Sequence, residues 1–231
     1  MFSVEKINKA YRLNESRIDV LKNISFSLKK GEIAAITGPS GSGKSTLLGV
    51  CAGLDRSDSG KIIFDGVDIT SLSEDSLCKL RAEKIGFIFQ NFQLIKTLTA
   101  LDNVSLPLVI SSKLKREEIQ NKAVHLLDQV GLKNRAGHYP SQLSGGEEQR
   151  VAIARSFINE PAMLFADEPT GNLDSKNGEN ILKLLLDLNK KFQSTLLLVT
   201  HDPKVAGFAN RIFQMEDGSL AAKKQTSKKK K

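Results

Sequence analysis

Eight consecutive residues, Gly38-Pro39-Ser40-Gly41-Ser42-Gly43-Lys44-Ser45, constrain this chain more than any others. They fit the pattern G-x-x-x-x-G-K-[ST] without a mismatch. Glycines let the main chain wrap a triphosphate with successive N–H groups pointing inward, Lys44 reaches the β and γ phosphates, and the Ser45 hydroxyl can ligate Mg²⁺. The apolar stretch 32–37 reads as a buried strand feeding the loop, and Thr46-Leu47-Leu48 reads as the helix leaving it. Strand, loop and helix in that order predict an α/β fold with a P-loop NTPase core.

A second helix start has the same chemistry. In Leu143-Ser144-Gly145-Gly146-Glu147, Ser144 can cap a helix while Glu147 reaches back, and the two glycines leave N–H groups open to an anion. Alone this is an ordinary capping box before the apolar run 151–158. Beside the first loop, it predicts a composite nucleotide pocket.

The formal charge of +8 invites a nucleic-acid reading until it is located. Six of the 34 basic residues are the lysines at 223, 224 and 228–231, leaving 28 against 26 acidic residues in the body. A nearly neutral body predicts no nucleic-acid partner. The lysine-rich tail, 223–231, cannot bury apolar surface and is expected to be disordered. Cys51 and Cys78 lack metal-site or redox spacing, so both are expected to be reduced and structural. No stretch approaches the ~20 apolar residues of a membrane span, and no secretory leader opens the sequence. A cytosolic or membrane-peripheral protein is expected.

Alternation at Ile24, Phe26 and Leu28 predicts a strand, with further strands near 4–11 and 61–64 and a turn at Asp65-Gly66. Residues 85–89 read as another buried strand ending at Gln90, after which helical texture runs to about Pro161. Ile119, Ala123, Leu126, Leu127 and Val130 fall on one helical face, with Gly131 as its stop. Short apolar strands at 163–166 and 195–199 flank a helix around 180–191 with a stripe at Ile181, Leu184, Leu185 and Leu188. That alternation predicts a mainly parallel sheet. Asp167 and Glu168 stand where the strand at 163–166 ends, the edge at which open parallel sheets bind ligands. Asp167 would hold Mg²⁺ and Glu168 would orient or deprotonate the attacking water.

Taken together, the loop at 38–45, Gln90, the Leu143-Ser-Gly-Gly-Glu147 stretch, Asp167-Glu168, Asn172-Leu173-Asp174 and His201 resemble, in identity and order, the ATP-binding-cassette transporter ATPases. The resemblance runs from about Val4 to Leu220. It implies a β core at about 1–90 and 160–222 that includes an N-terminal antiparallel β subdomain, with an inserted α-helical subdomain at about 91–159. It implies ATP contacts at residues 38–46, with Pro39, Ser40, Gly41, Ser42 and Thr46 among them, and from Tyr11 on the adenine. Mg²⁺ ligands would be Ser45, Gln90 and Asp167. Glu168, His201 and Gln90 would be catalytic. It further implies a head-to-tail homodimer, in which Ser144, Gly145 and Gly146 of one subunit face the nucleotide held by Lys44 of the other.

Two stretches, Ala166-Asp-Glu-Pro-Thr-Gly-Asn-Leu-Asp174 and Asn91-Phe-Gln-Leu-Ile-Lys-Thr-Leu-Thr-Ala-Leu-Asp-Asn-Val104, resemble the subgroup that serves few-span permeases. Within it the run is most similar to the ATPase of a lipoprotein-releasing complex. That implies a peripheral subunit on the cytoplasmic side of a bacterial inner membrane, with permease partners docking near Phe92, Leu94, Ile95 and Leu98. The ATPases of macrolide or peptide exporters and of the cell-division complex share both stretches. A soluble cassette acting on DNA or ribosomes would need paired cassettes or a coiled-coil insert, and the sequence shows one cassette without sustained heptads. Glu148 and Lys96 depart from the subgroup pattern.

Overall fold

The computed structural model describes residues 2–13 and 16–223, gathered into two compact units, Met1–Ser73 with Thr195–Lys231, and Glu74–Ser194. Of the expected tail, Lys223 ends a strand, and 224–231 lie outside the described residues.

In the first unit, strands β1 (Phe2–Leu13) and β2 (Ser16–Leu28) pair antiparallel. Leu21, Ile24, Phe26 and Leu28 of β2 are buried, which is the alternation of a strand with one covered face. β3 (Ile33–Thr37) leads through the glycine-rich loop into helix α1 (Lys44–Cys51). β4 (Ser59–Phe64) and β5 (Val67–Asp68), joined at Asp65-Gly66, complete an antiparallel sheet of order β2-β1-β4-β5.

The same unit holds β8 (Thr195–Val199), short helix α7 (Pro203–Ala206), β9 (Arg211–Glu216) and β10 (Ser219–Lys223). Their order is β10-β9-β3-β8, with β8 and β9 parallel to β3 and β10 antiparallel on β9. β3 and β8 have fully buried centres, Ala34 to Ile36 and Leu196 to Val199, as a strand covered on both faces must.

The second unit opens with α2 (Glu74–Lys84), a helix the sequence did not predict. Only Leu77 of its eleven residues is buried, so it carries no apolar stripe to read. β6 (Ile85–Ile88) follows and pairs parallel with β7 (Met163–Asp167), Ile85 opposite Met163 and Ile88 opposite Ala166. Of the buried strand expected over 85–89, β6 forms 85–88, with Gly86 and Ile88 buried and Ile85 and Phe87 half-buried. Between them run α3 (Ala100–Ser111), α4 (Arg116–Gln129) and α5 (Gly145–Phe157), and α6 (Ser175–Phe192) comes last.

α4 buries the predicted face and stops at Gly131, whose φ of 71° supplies the left-handed residue of a helix end. On α6 the buried stripe is Ile181, Leu182, Leu185 and Leu188, with Leu184 half-buried in place of the predicted contact. Phe157 and Phe192 stack at 5.4 Å where α5 and α6 meet. Cys51 is buried in α1, whereas Cys78, expected to be structural, is exposed on α2. Among the described residues, no helix is long and apolar enough to cross a membrane.

Candidate nucleotide site

The glycine-rich loop is shaped by what lies behind it. At Gly43, φ is 100°, and an added Cβ would sit 2.8 Å from the Val20 carbonyl oxygen and 2.9 Å from Met215 Cε, so only glycine fits. Gly43 caps α1 without a side-chain hydrogen bond, and no acidic residue lies in the first turn. The first N–H groups of α1 therefore point at the loop uncapped, as an anion-binding helix start requires. Lys44, buried, donates from Nζ to the carbonyls of Gly38 at 3.0 Å and Pro39 at 2.8 Å, which sets its ammonium over the loop. Ser42 Oγ is buried and makes no hydrogen bond, a group suited to a phosphate oxygen.

Tyr11 joins this cluster. Its side chain hydrogen-bonds Thr46 in the first turn of α1, and its ring is 43 % exposed. Burial and the Asp55 carboxylate together push its phenol up from the ordinary tyrosine range. His201 lies at the same edge: β3 and β8 run in register from Ile33/Leu196 to Ile36/Val199, and the Thr200 N–H donates to the Ile36 carbonyl at 3.1 Å. His201 follows Thr200 directly, just past the end of β8. Pro39, Ser40 and Gly41 are exposed on the loop, Gly38 is half-buried, and Ser45 is exposed one residue into α1.

The second unit brings together the remaining residues. Glu168 follows β7 with φ 45°, a left-handed conformation that a non-glycine residue holds only at a cost of about 1 to 2 kcal/mol. Gln90 and Glu168 flank Gly171: a Cβ there would lie 3.3 Å from Glu168 Cβ and 3.7 Å from Gln90 Nε2. Asn172 Nδ2 donates to the Gln90 carbonyl at 2.8 Å, and the buried Gln149 amide donates to the Pro169 carbonyl at 2.6 Å. Asp167 and Glu168 are both half-buried.

Ser144 caps α5 with the predicted reciprocal box: its N–H donates to Glu147 Oε2 at 2.8 Å, and its Oγ accepts from the Glu147 N–H at 3.4 Å. The Ser144 N–H and hydroxyl, with Arg135 nearby, hold the Glu147 carboxyl below the usual range. A Cβ on Gly145 or Gly146 would meet nothing closer than 3.9 Å, so packing within the chain does not demand glycine there. Both glycines instead leave the helix start open to close approach from outside.

A hard cation held mainly by phosphate oxygens and water needs few protein oxygens. Each unit holds oxygen groups of that kind: the first has exposed Ser45, and the second has half-buried Asp167 and exposed Gln90. Among the described residues, no three of His, Cys, Asp and Glu cluster as an all-protein metal cage would require.

Several residues escaped sequence reading. Asp55, Lys9, Gln149 and Arg155 act on the site through hydrogen bonds between 20 and 63 positions away, and no local pattern marks them. Asn103, fully buried, accepts from the Ile95 N–H and donates to the carbonyls of Ile95, Leu98 and Thr99, shaping the segment expected to meet a permease. There Ile95 is exposed, and Phe92, Leu94 and Leu98 are half-buried. The two departures from the subgroup act on each other. Burial raises the Glu148 carboxyl, and the Lys96 ammonium pulls it part of the way back.

Comparison with known proteins agrees with this geometry. The model of the ABC transporter family matches residues 21–171. An uncharacterized ABC transporter ATP-binding protein of Methanocaldococcus jannaschii, MJ0796, is 45% identical over 95% of each chain. The lipoprotein-releasing system ATP-binding protein LolD of Legionella pneumophila is 44% identical over 95% of this chain and 96% of its own. A solved dimeric, post-hydrolysis structure of MJ0796 with ADP and Pi superposes with a TM-score of 0.91 at 43% identity, covering 97% of this chain and 98% of that one. The α/β architecture is a P-loop NTPase core with an antiparallel β subdomain, and the chain belongs to the ABC transporter family as one of its ATP-hydrolysing cassettes.

Proposed function

We propose that this chain powers the release of lipoproteins from a bacterial inner membrane, as the peripheral ATPase subunit bound to integral-membrane permeases on the cytoplasmic side. The observation that carries this reading is the near full-length similarity to LolD, the ATP-binding protein of a lipoprotein-releasing system. The core at about 1–90 and 160–222 and the helical subdomain at about 91–159 belong to the same reading.

In this reading two copies pair head to tail. ATP held on the loop of one copy, with Tyr11 stacked on its adenine and Lys44 on its β and γ phosphates, meets Ser144 and Gly146 of the second copy. The open glycines at the start of α5 and the dimeric form of the solved MJ0796 relative support the arrangement. Ser45, Asp167 and Gln90 would hold Mg²⁺, which when bound neutralises charge on the phosphate oxygens. Glu168 takes the proton of the attacking water, and His201 contacts the γ phosphate. ATP bound across both surfaces stabilises closure and hydrolysis weakens it, so phosphate chemistry drives a rigid-body stroke.

Affinity purification from native membranes with mass spectrometry tests the assignment. Co-purifying permeases carrying lipoprotein are the expected result. A drug- or peptide-exporter permease, or the cell-division membrane partner, would move the same ATPase to that process, and ribosomes or DNA without a membrane protein would overturn transport altogether.

A further inference from the structure

We infer that Arg155 is a positioning residue of the ATPase, a catch that fixes the Gln90 loop to the helix beginning at the Ser144 cap. The inference rests on the reading of Gln90 as a group that acts on the nucleotide.

Arg155 lies in the last turn of α5. Its two terminal nitrogens reach consecutive carbonyls, Nη1 to Gln93 at 2.6 Å and Nη2 to Phe92 at 2.7 Å. Both accepting residues are left-handed, with φ of 57° for Phe92 and 53° for Gln93. Two successive non-glycine residues hold that conformation only where the surroundings over-determine it, and such segments cluster at functional sites. The planar guanidinium fork matches the two diverging carbonyls as an ammonium cannot.

The charge is used unusually. Arg155 makes no ion pair among the described residues, and burial lowers its pKa from the ordinary arginine value, so a costly half-desolvated cation is spent on two main-chain oxygens. Packing alone needs no such group. The loop is also held at its other end, where Asn172 Nδ2 donates to the Gln90 carbonyl at 2.8 Å and to Asn91 Oδ1 at 3.3 Å. Residues 90–93 thus sit between a catch on α5 and a catch on the turn after Glu168. Through Gln149, α5 also grips the Pro169 carbonyl directly behind Glu168. One helix therefore carries the Ser144 cap at its start and braces the main chain behind both Gln90 and Glu168.

The test uses the purified full-length protein and the variants R155K, Q90A and R155K/Q90A. Lysine keeps the charge and the stem but loses the fork. R155K is expected to lower kcat about tenfold or more, since small misplacements of a positioned group cost that much. The KM for ATP should stay within about twofold, and amide exchange should quicken at residues 91–95 while the rest of α5 is unchanged. Because the effect runs through Gln90, adding R155K to Q90A should cost less than about twofold more.

Wild-type kcat in R155K, with Q90A slowed, overturns the inference alone. Wild-type kcat in Q90A sinks the reading of Gln90 and the inference with it. Equal losses from R155K in both backgrounds place its effect elsewhere and also overturn it. Should R155K melt early, kcat and exchange are compared well below its transition, where a merely structural role leaves both at wild-type values.

Discussion

Tyr11 donates its phenolic O–H to Asp55 Oδ2 at 2.6 Å, while the other oxygen of that carboxylate accepts from Lys9 Nζ at 2.8 Å. Lys9 Nζ in turn lies 4.9 Å from the Tyr11 ring centroid. One carboxylate therefore fixes both the ring and the cation beside it. Burial pushes the Asp55 carboxyl up, but hydrogen bonds from Lys9, Tyr11 and the Arg56 N–H more than reverse this and leave it below the ordinary aspartate value. At neutral pH the anchor is charged.

Asp55→Ala releases the Tyr11 ring and leaves Lys9 with the Arg56 carbonyl but no carboxylate. ATP affinity is expected to fall about three- to tenfold, roughly 1 kcal/mol, with kcat at saturating ATP unchanged. Titration with a fluorescent ATP analogue checks this. An unaltered Kd would mean that the Tyr11 ring does not carry base binding.

Glu147→Gln keeps an acceptor for Ser144 but removes the charge at the start of α5. The expected loss is about 0.5 kcal/mol at pH 7. Because the folded-state pKa is lowered, the advantage of Glu147 over Gln is complete above the ordinary glutamate value and disappears as pH falls through the lowered one. Urea melts of both proteins between pH 7 and 3 should converge at the acid end. A gap that persists there would assign the difference to shape instead of charge.

The parts of the site legible in sequence are those whose chemistry is local. The loop at 38–45, the Ser144–Glu147 box and the acidic strand end are each contiguous, and each pairs a backbone geometry with the residue types that geometry demands. The α4 face was legible because Ile119, Ala123, Leu126 and Leu127 repeat at helical spacing and are all buried. α2 was not, since a helix burying one residue leaves no period. Leu184 was misplaced for a related reason: a run of three leucines at 184–186 offers several stripes, and only packing selects the one through Leu182 and Leu185. Asp55 and Arg155 were invisible because nothing local distinguishes an aspartate 44 positions from its tyrosine or an arginine 63 positions from its carbonyl.

Gly43→Ala and Gly41→Ala separate steric demand from backbone preference. At Gly43 the added methyl would lie 2.8 Å from a main-chain oxygen at φ 100°, whereas at Gly41, φ 79°, it would meet nothing within 4 Å. Gly41→Ala is expected to cost about 1 kcal/mol of stability. Gly43→Ala should cost more, about 2 to 3 kcal/mol, and abolish ATP binding by moving the start of α1 away from β2. Thermal melts with and without ATP check both. Equal losses at the two positions would show that Met215 and Val20 yield to the methyl.

Glu168→Gln preserves the volume of the side chain while removing its ability to take a proton. The left-handed φ of 45° is a backbone cost the variant inherits unchanged, so its stability should match the wild type. Turnover is expected to fall about 10²- to 10³-fold, the range for loss of a positioned general base, while ATP still binds. With hydrolysis stopped, ATP holds two copies together, and light scattering at saturating ATP should report twice the monomer mass. Turnover near the wild-type rate would remove Glu168 from proton transfer. A slow enzyme that stays monomeric would keep Glu168 as the base and rule out a pocket shared between Lys44 of one copy and Ser144 of the next.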